Sequence, residues 1–200
     1  MEYIHHLSLD PQLRKIIRKT GPLSVTKRKN VCLFLCRSII AQQLSTKVAA
    51  IIEARLLELL PGVQSTPDDL LKISITKLRT IGLSETKANY VHNVARYFSE
   101  LSITDRTFSG MDNESIISLL TEIKGVGRWT AEMTLMFSLG RKDVFSPDDY
   151  GIQQSMIALY GLETTNKKVL REQMEKISIV WSPFRTYACL YLWKARDLNK

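Results

Sequence analysis

Between Ile116 and Leu139, apolar residues recur at helical spacing on either side of one glycine-tight break. Ile116, Ile117, Leu120 and Ile123 lead into Lys124-Gly125-Val126-Gly127-Arg128, and Ala131, Leu135, Met136 and Leu139 lead out of it. Residues three and four apart share a helix face, so the pattern specifies two amphipathic helices joined by a turn. Glycine adopts positive φ without penalty and lets another group come close to the backbone. Two glycines flanking Val126 therefore predict an αα-hairpin whose second helix starts near Gly127. The first N–H groups of that helix have no partner inside it and point outward.

The helical period runs through most of the chain, and strand alternation is scarce. Ile39, Ile40, Leu44, Val48, Ile51, Ile52, Leu56 and Leu59 mark one long amphipathic segment, and Ala88, Val91, Val94, Ala95, Phe98 and Leu101 another. Later stripes are Ile152, Met156 and Leu159, then Leu170, Met174 and Ile177, then Ala188, Leu192 and Ala195. Pro61-Gly62, Gly82, Gly110, Gly140, Gly161 and Pro183 fall between them as breakers. Thr66-Pro67-Asp68-Asp69, Ser146-Pro147-Asp148-Asp149 and Ser182-Pro183 each read as an N-cap followed by proline in the first turn. The expectation is an all-α chain of about eight to ten helices starting near Pro11, without a flexible linker.

Charge is unevenly distributed. The 28 Lys and Arg exceed the 20 Asp and Glu, giving a formal net charge of +8. Nine of the basic residues (Arg14, Lys15, Arg18, Lys19, Lys27, Arg28, Lys29, Arg37 and Lys47) lie between Asp10 and Glu53, where no acid occurs. The other 19 face 20 acids, so this stretch carries the whole excess. Such a run is either a solvated helix face or the footprint of a polyanion partner. No apolar run approaches the roughly 20 residues of a membrane span, so no membrane partner is expected. Met1 to Asp10 lacks the apolar core and cleavage pattern of a secretory signal. Cys32, Cys36 and Cys189 are too few for a disulfide framework and read as buried free thiols. His5, His6 and His92 have no partner motif and read as surface or packing residues.

Several segments jointly resemble the helix-hairpin-helix DNA glycosylase superfamily, in particular its 3-methyladenine type. Leu120-x-x-Ile123-Lys124-Gly125-Val126-Gly127-Arg128-Trp129-Thr130-Ala131 is similar to its hairpin. Asp149, 22 residues after Gly127, falls where that superfamily has an aspartate. Ile40-Ala41-Gln42-Gln43-Leu44-Ser45 resembles the segment that reaches into the DNA stack. Leu78-Arg79-x-x-Gly82-Leu83-Ser84-x-x-Lys87-Ala88 is similar to an inner turn of the family. Trp181-x-Pro183-Phe184-Arg185-x-Tyr187-Ala188-x-x-x-Leu192-Trp193 resembles the C-terminal end of the 3-methyladenine type.

The resemblance implies roles. Asp149 would be the catalytic carboxylate, stabilising oxocarbenium character on the sugar and orienting water. By sequence position alone, Asp148 and Asp149 sit at the second and third positions of a helix capped by Ser146, where carboxylates favour the dipole. The two roles are compatible, and Asp148 is the structural member of the pair. Trp129, Met133, Tyr150 and Trp193 are candidates for the base pocket, with core packing the alternative for both tryptophans. Trp129 stands where bifunctional relatives carry a nucleophilic lysine, so no lyase step is expected. Met133 stands where some relatives have a tyrosine. Gln42, Gln43 or Leu44 would fill the gap left by an extruded base, Gln43 occupying the position of a leucine wedge in some relatives.

Backbone groups of Gly125, Val126 and Gly127 would hold a phosphate, with Ser45, Lys47, Lys124, Arg128 and Thr130 as further DNA contacts. That backbone is also a candidate site for one Na+ or K+; no side-chain metal site is expected. The four closely spaced cysteines of iron–sulfur relatives are missing, so no cluster and no other cofactor is expected. The N-terminal β-rich domain of larger 3-methyladenine enzymes has no counterpart in this pattern.

The expected fold is thus the all-α, two-lobed glycosylase fold with its site in a cleft between lobes. Residues 31–139 would bear the hairpin, and residues 1–30 with 140–200 would form the second lobe. The expected activity is monofunctional removal of alkylated purines, such as 3-methyladenine and 7-methylguanine, from double-stranded DNA by a monomer. Its compartment would be the cytoplasm or nucleoid of a bacterium, or a eukaryotic nucleus. The alternatives are a glycosylase for another damaged or mismatched base, a non-catalytic helix-hairpin-helix DNA binder and a helical scaffold.

Overall fold

A computed structural model describes residues 1–62, 64–163 and 165–198. Among them are twelve α-helices, two short 3₁₀ turns and no strand. Two compact units form: Lys27–Leu139, and Met1–Thr26 with the described residues from Gly140 on. The chain opens with α1 (Glu2–Leu7) and α2 (Pro11–Thr20). The middle unit holds α3 (Val31–Ala41), α4 (Thr46–Glu58), α5 (Pro67–Leu71), α6 (Ile75–Thr80), α7 (Glu85–Glu100), α8 (Asn113–Thr121) and α9 (Arg128–Phe137). The other unit resumes with α10 (Tyr150–Tyr160), α11 (Lys167–Ser178) and α12 (Arg185–Leu198). The helix count exceeds the periodicity-based expectation because α1, α5 and α6 have six residues or fewer. Fewer than two turns show no period.

The middle unit is built around α3. Its sequence VCLFLCRSIIA is apolar on nearly every face, the mark of a helix surrounded by others. Leu35, Cys36 and Ile39 have no exposed surface, and α3 packs on α4, α7 and α9. Full burial of one such leucine or isoleucine stabilises the fold by about 1.5–3 kcal/mol. Hydrogen bonding with Cys32, then burial, holds the Cys36 thiol protonated well above its ordinary range. All three cysteines are buried and free. Lys27–Asn30 joins this unit because Arg28 N donates to Phe137 O at 2.8 Å and Ser138 Oγ to Arg28 O at 2.9 Å.

The long segment expected from Ile39 to Leu59 is two helices, not one. α3 stops at Ala41 and α4 starts at Thr46 behind its cap Ser45. Between them Gln43 sits in the left-handed region at φ +59°. The apolar period crosses the break without a change of phase, which hides it; Leu44, Val48 and Ile51 are exposed rather than core.

In the unit holding both termini, Asp10 ties three segments together. Its Oδ1 caps α2 through Gln12 N and Leu13 N, and its Oδ2 accepts from Tyr160 Oη at 2.9 Å and Trp181 Nε1 at 3.0 Å. Burial, then the Asp10 charge, raises the Tyr160 hydroxyl far above its usual range. The expected helix start at Ser182-Pro183 lies instead at Arg185. Ser182 is not its N-cap; Ser182 Oγ donates to Asp143 Oδ2 at 2.9 Å. Asp143 also accepts from Arg185 N, Nε and Nη2 at 3.2, 2.7 and 2.9 Å. A remote carboxylate, invisible to a local sequence pattern, thus satisfies the start of α12.

Burial alone would raise the Asp143 carboxyl, but the Arg185 and Ser182 hydrogen bonds outweigh it and hold it below the usual carboxylate range. The stabilisation is therefore complete above the unfolded pKa of about 3.9 and is lost as pH falls through the lower folded value. Asp143→Asn is expected to cost about 2 kcal/mol at pH 7 and to flatten the acid limb below roughly pH 4. Urea unfolding at both pH values checks this; an equal loss at pH 7 and at pH 2 contradicts it.

Candidate active site and nucleic-acid interface

The hairpin forms as its glycines require. Ile123 and Val126 are buried, Val126 N closes the turn on Ile123 O at 2.9 Å, and Lys124 and Gly127 are left exposed. Gly125 has φ +110°, and a Cβ there would lie 2.4–2.7 Å from the Tyr90 side chain. It is glycine for two independent reasons: backbone conformation and the ring packed against it. Gly127 is the N-cap of α9 and supplies no side-chain cap, and a Cβ on it would meet nothing within 4 Å. Its backbone faces open space, while α2 to α8 all start with a side chain bonded to their first turn. Side-chain amides brace the hairpin from behind. Asn93 Nδ2 donates to Lys124 O at 3.2 Å, and Gln42 Nε2 to Gly125 O at 3.5 Å.

Other expected contacts in this unit divide by exposure. Gln43, Leu44 and Lys47 are exposed around the α3–α4 turn, and Ser45 Oγ accepts from Val48 N as the α4 cap. Lys47 and Lys124 enter no ion pair among the described residues. Arg128 is different. Its Nη1 and Nη2 fork onto Glu114 at 3.0 and 2.6 Å, and its Nε reaches the buried Glu132 at 3.1 Å. The Glu114 hydrogen bond raises the guanidinium pKa further, and a charge so compensated has less to offer a phosphate. The Thr130 side chain is buried. Trp129 is 40% exposed on the first turn of α9, with Met133 buried one turn later on the same face.

The terminal unit holds the other group: Asp149, Tyr150 and Trp193. Ser146-Pro147-Asp148-Asp149 does not start a helix at Ser146. It makes a turn, Asp149 N bonding Ser146 O at 3.3 Å, and α10 begins three residues later than expected with Asp149 itself as N-cap. Asp149 Oδ1 accepts from Ile152 N at 2.9 Å and from Trp193 Nε1 at 2.8 Å. The helix end and the indole together fix the plane of the carboxylate, and the dipole favours its charge. Trp193 thus positions Asp149. Gly151 makes room for it: a Cβ there would lie 3.0 Å from Trp193 Cδ1 and 3.1 Å from Asp149 Oδ1. Asp148 turns away to Arg171, whose Nη1 donates to both carboxylate oxygens at 2.8 and 3.0 Å. Tyr150 is 63% exposed beside a cavity of about 280 Å3, with Arg196 Cζ 5.5 Å from its ring centroid.

Sequence reasoning assigned no part to Tyr90 and Asn93 behind the hairpin, or to Gly151 under Trp193. Tyr90 and Asn93, three apart in a helical stretch, share a face, but nothing local says that the hairpin lies on it.

A helical hairpin with a bare N-terminus offers N–H donors to an anion, and a carboxylate pinned at a second helix start by a tryptophan offers a fixed negative charge. A family model described as "HhH-GPD superfamily base excision DNA repair protein" matches residues 36–178. DNA-3-methyladenine glycosylase 1 of Schizosaccharomyces pombe is 33% identical over 200 residues, covering 98% of this chain and 86% of its own length. The crystal structure of a DNA-3-methyladenine glycosidase from Bacillus halodurans superposes with a TM-score of 0.84 at 36% identity, covering 98% and 89% of the two chains. The S. pombe 3-methyladenine DNA glycosylase in complex with abasic DNA gives 0.83 at 32% identity, covering 97% and 96%. The chain belongs to the HhH-GPD superfamily of base excision DNA repair proteins, and its all-helical fold is that of the superfamily.

Proposed function

We propose that this chain hydrolyses the N-glycosidic bond of alkylated purines in double-stranded DNA and leaves an abasic site, with Asp149 as the catalytic carboxylate. The observation that carries this is the Asp149 carboxylate fixed by Trp193 Nε1 and Ile152 N. Relatives named 3-methyladenine glycosylases support it along nearly the whole chain. An alkylated purine is cationic and leaves readily, so the protein need supply no strong acid. Its task is to stabilise positive charge as it develops on the sugar, which a preoriented anion does best where water is scarce. The same anion orients or deprotonates the attacking water. Trp129 offers an exposed π-face, suited to a cationic, electron-poor base. It cannot form a Schiff base, so the product is an intact abasic strand.

Duplex is gripped through the hairpin backbone at Gly125–Gly127, with Lys124 and Lys47 as unpaired cations, and Gln43 or Leu44 enters the stack. Arg128 contributes less because Glu114 and Glu132 engage it. Of the carbonyls offered to a monovalent cation, that of Gly125 already accepts from Gln42 and its neighbour Lys124 O from Asn93. A carbonyl oxygen keeps a second lone pair, so these bonds leave the hairpin backbone able to hold one Na+ or K+, and no step passes through it.

Methylated duplex incubated with the protein is expected to release 3-methyladenine and 7-methylguanine, identified by chromatography, with no borohydride-trapped adduct. No released base, release of oxidised or deaminated bases alone, or a trapped adduct contradicts the reading.

A further inference from the structure

The inner turn Gly82-Leu83-Ser84-x-x-Lys87 is tied to both elements that would touch DNA. Gly82, at φ +113°, packs its backbone against Ile52 of α4, and Ser84 caps α7 through Lys87 N at 3.3 Å. This places Lys87 in the first turn of α7, half-buried, with its side chain across the end of α3. Its Nζ donates to Ile40 O at 2.9 Å and Gln42 O at 2.5 Å, two carbonyls that the end of α3 leaves without helical partners. A cation at a helix C-terminus is favoured by the dipole. The next residue is Gln43 in the left-handed region, a conformation that persists in a non-glycine residue only where its surroundings impose it. The side chain of Gln42 in turn donates to Gly125 O in the hairpin. One chain of contacts therefore runs from Lys87 through Gln42 to Gly125, with the exposed Gln43 and Leu44 beside it.

We infer that Lys87 is a positioning residue that locks the stack-entering turn at Gln43-Leu44 and the phosphate-gripping hairpin at Gly125 into one rigid piece, so that gripping the strand aims the wedge. The inference rests on the proposed function for what the two elements touch. Lys87 itself need not meet DNA: its Nζ is spent on Ile40 and Gln42, and burial lowers its pKa. Such a lock matters when a stacked base must be pushed out. It matters less when the base is already unstacked.

The test compares wild type, Lys87→Met and Lys87→Arg. Single-turnover release of 7-methylguanine is measured from a fully paired duplex and from one with the lesion in an unpaired bubble. Lys87→Met is expected to slow release roughly 10–100-fold on paired DNA and about threefold or less on the bubble, with Lys87→Arg recovering most of the loss. Equal losses on both substrates mean a merely damaged fold and overturn the inference, as does unchanged release. Amide hydrogen exchange of the free protein gives a readout independent of activity. Lys87→Met is expected to raise exchange at 42–45 and at 124–127 together; loosening at 42–45 alone overturns the coupling. A wild type that releases no base defeats the proposed function, and the exchange result still decides the coupling.

Discussion

Asp149→Asn is expected to lower base release by at least about 100-fold while duplex affinity and melting temperature stay close to wild type. The separation follows from the geometry. The hydrogen bonds from Ile152 N and Trp193 Nε1 converge on Oδ1 of this carboxylate. Asparagine keeps an oxygen there, and asparagine and aspartate are about equally good N-caps. What disappears is the negative charge. Its loss costs α10 about 0.3–1 kcal/mol of dipole stabilisation, near the limit of a thermal melt. Charge stabilisation at a sugar cation is several times larger, because it acts at contact distance in a poorly screened site. Asp148→Asn is the control. Its partner is Arg171, so it should leave release unchanged and affect stability only slightly. Single-turnover release, binding to an uncleavable duplex and thermal melts of both variants decide the matter. Full activity in Asp149→Asn removes this residue from the chemistry.

Gly125→Ala is expected to abolish duplex binding and to destabilise the middle unit by about 2–6 kcal/mol. Two terms contribute. Alanine at φ +110° is strained whatever surrounds it, at about 1–3 kcal/mol. Its methyl would also lie 2.4 Å from Tyr90 Cγ, so the hairpin or α7 must move, at about 1–3 kcal/mol. Movement displaces the Lys124 and Gly125 carbonyls from Asn93 and Gln42 and turns the α9 N-terminus away from its present aim. Pairing it with Tyr90→Ala relieves the collision and leaves the backbone strain, so about half of the lost stability should return while binding stays weak. Urea unfolding and anisotropy titrations measure both. Complete rescue by Tyr90→Ala would show that φ at Gly125 is unimportant. Gly127→Ala has space and an ordinary φ, and should cost far less stability.

Legibility in the sequence tracked how local the cause was. The hairpin could be read because glycine placement and flanking periodicity settle it within 24 residues, from Ile116 to Leu139. The two similar tetrapeptides show where that ends. Thr66-Pro67-Asp68-Asp69 makes the capping box it promises, with the Asp69 carboxyl held at about 2 by the Thr66 N–H and then by Lys72. Ser146-Pro147-Asp148-Asp149 has the same local chemistry and becomes a turn that delivers Asp149 as a cap. The partners that distinguish it, Trp193 and Arg171, lie 44 and 23 residues away. The start of α12 was misplaced for the same reason, its acceptor Asp143 being 42 residues distant. The fork of Arg128 onto Glu114, 14 residues away on the preceding helix, is likewise marked by no local pattern. Lys87 stood in a recognised motif without a role, because its acceptors are carbonyls, which every residue has and no sequence pattern marks.

The measurement that bears most directly on this chemistry is the affinity of wild type and Asp149→Asn for duplexes carrying an abasic-site analogue, with either a neutral or a protonated-nitrogen ring in place of the sugar. Such a cationic ring imitates the charge that develops as the base leaves, and an enzyme built for that state binds it more tightly than a neutral ring. Wild type should prefer the cationic ring by at least about 100-fold, and Asp149→Asn should bind the two alike. Equal affinity of wild type for both rings, or an undiminished preference in Asp149→Asn, would contradict the account.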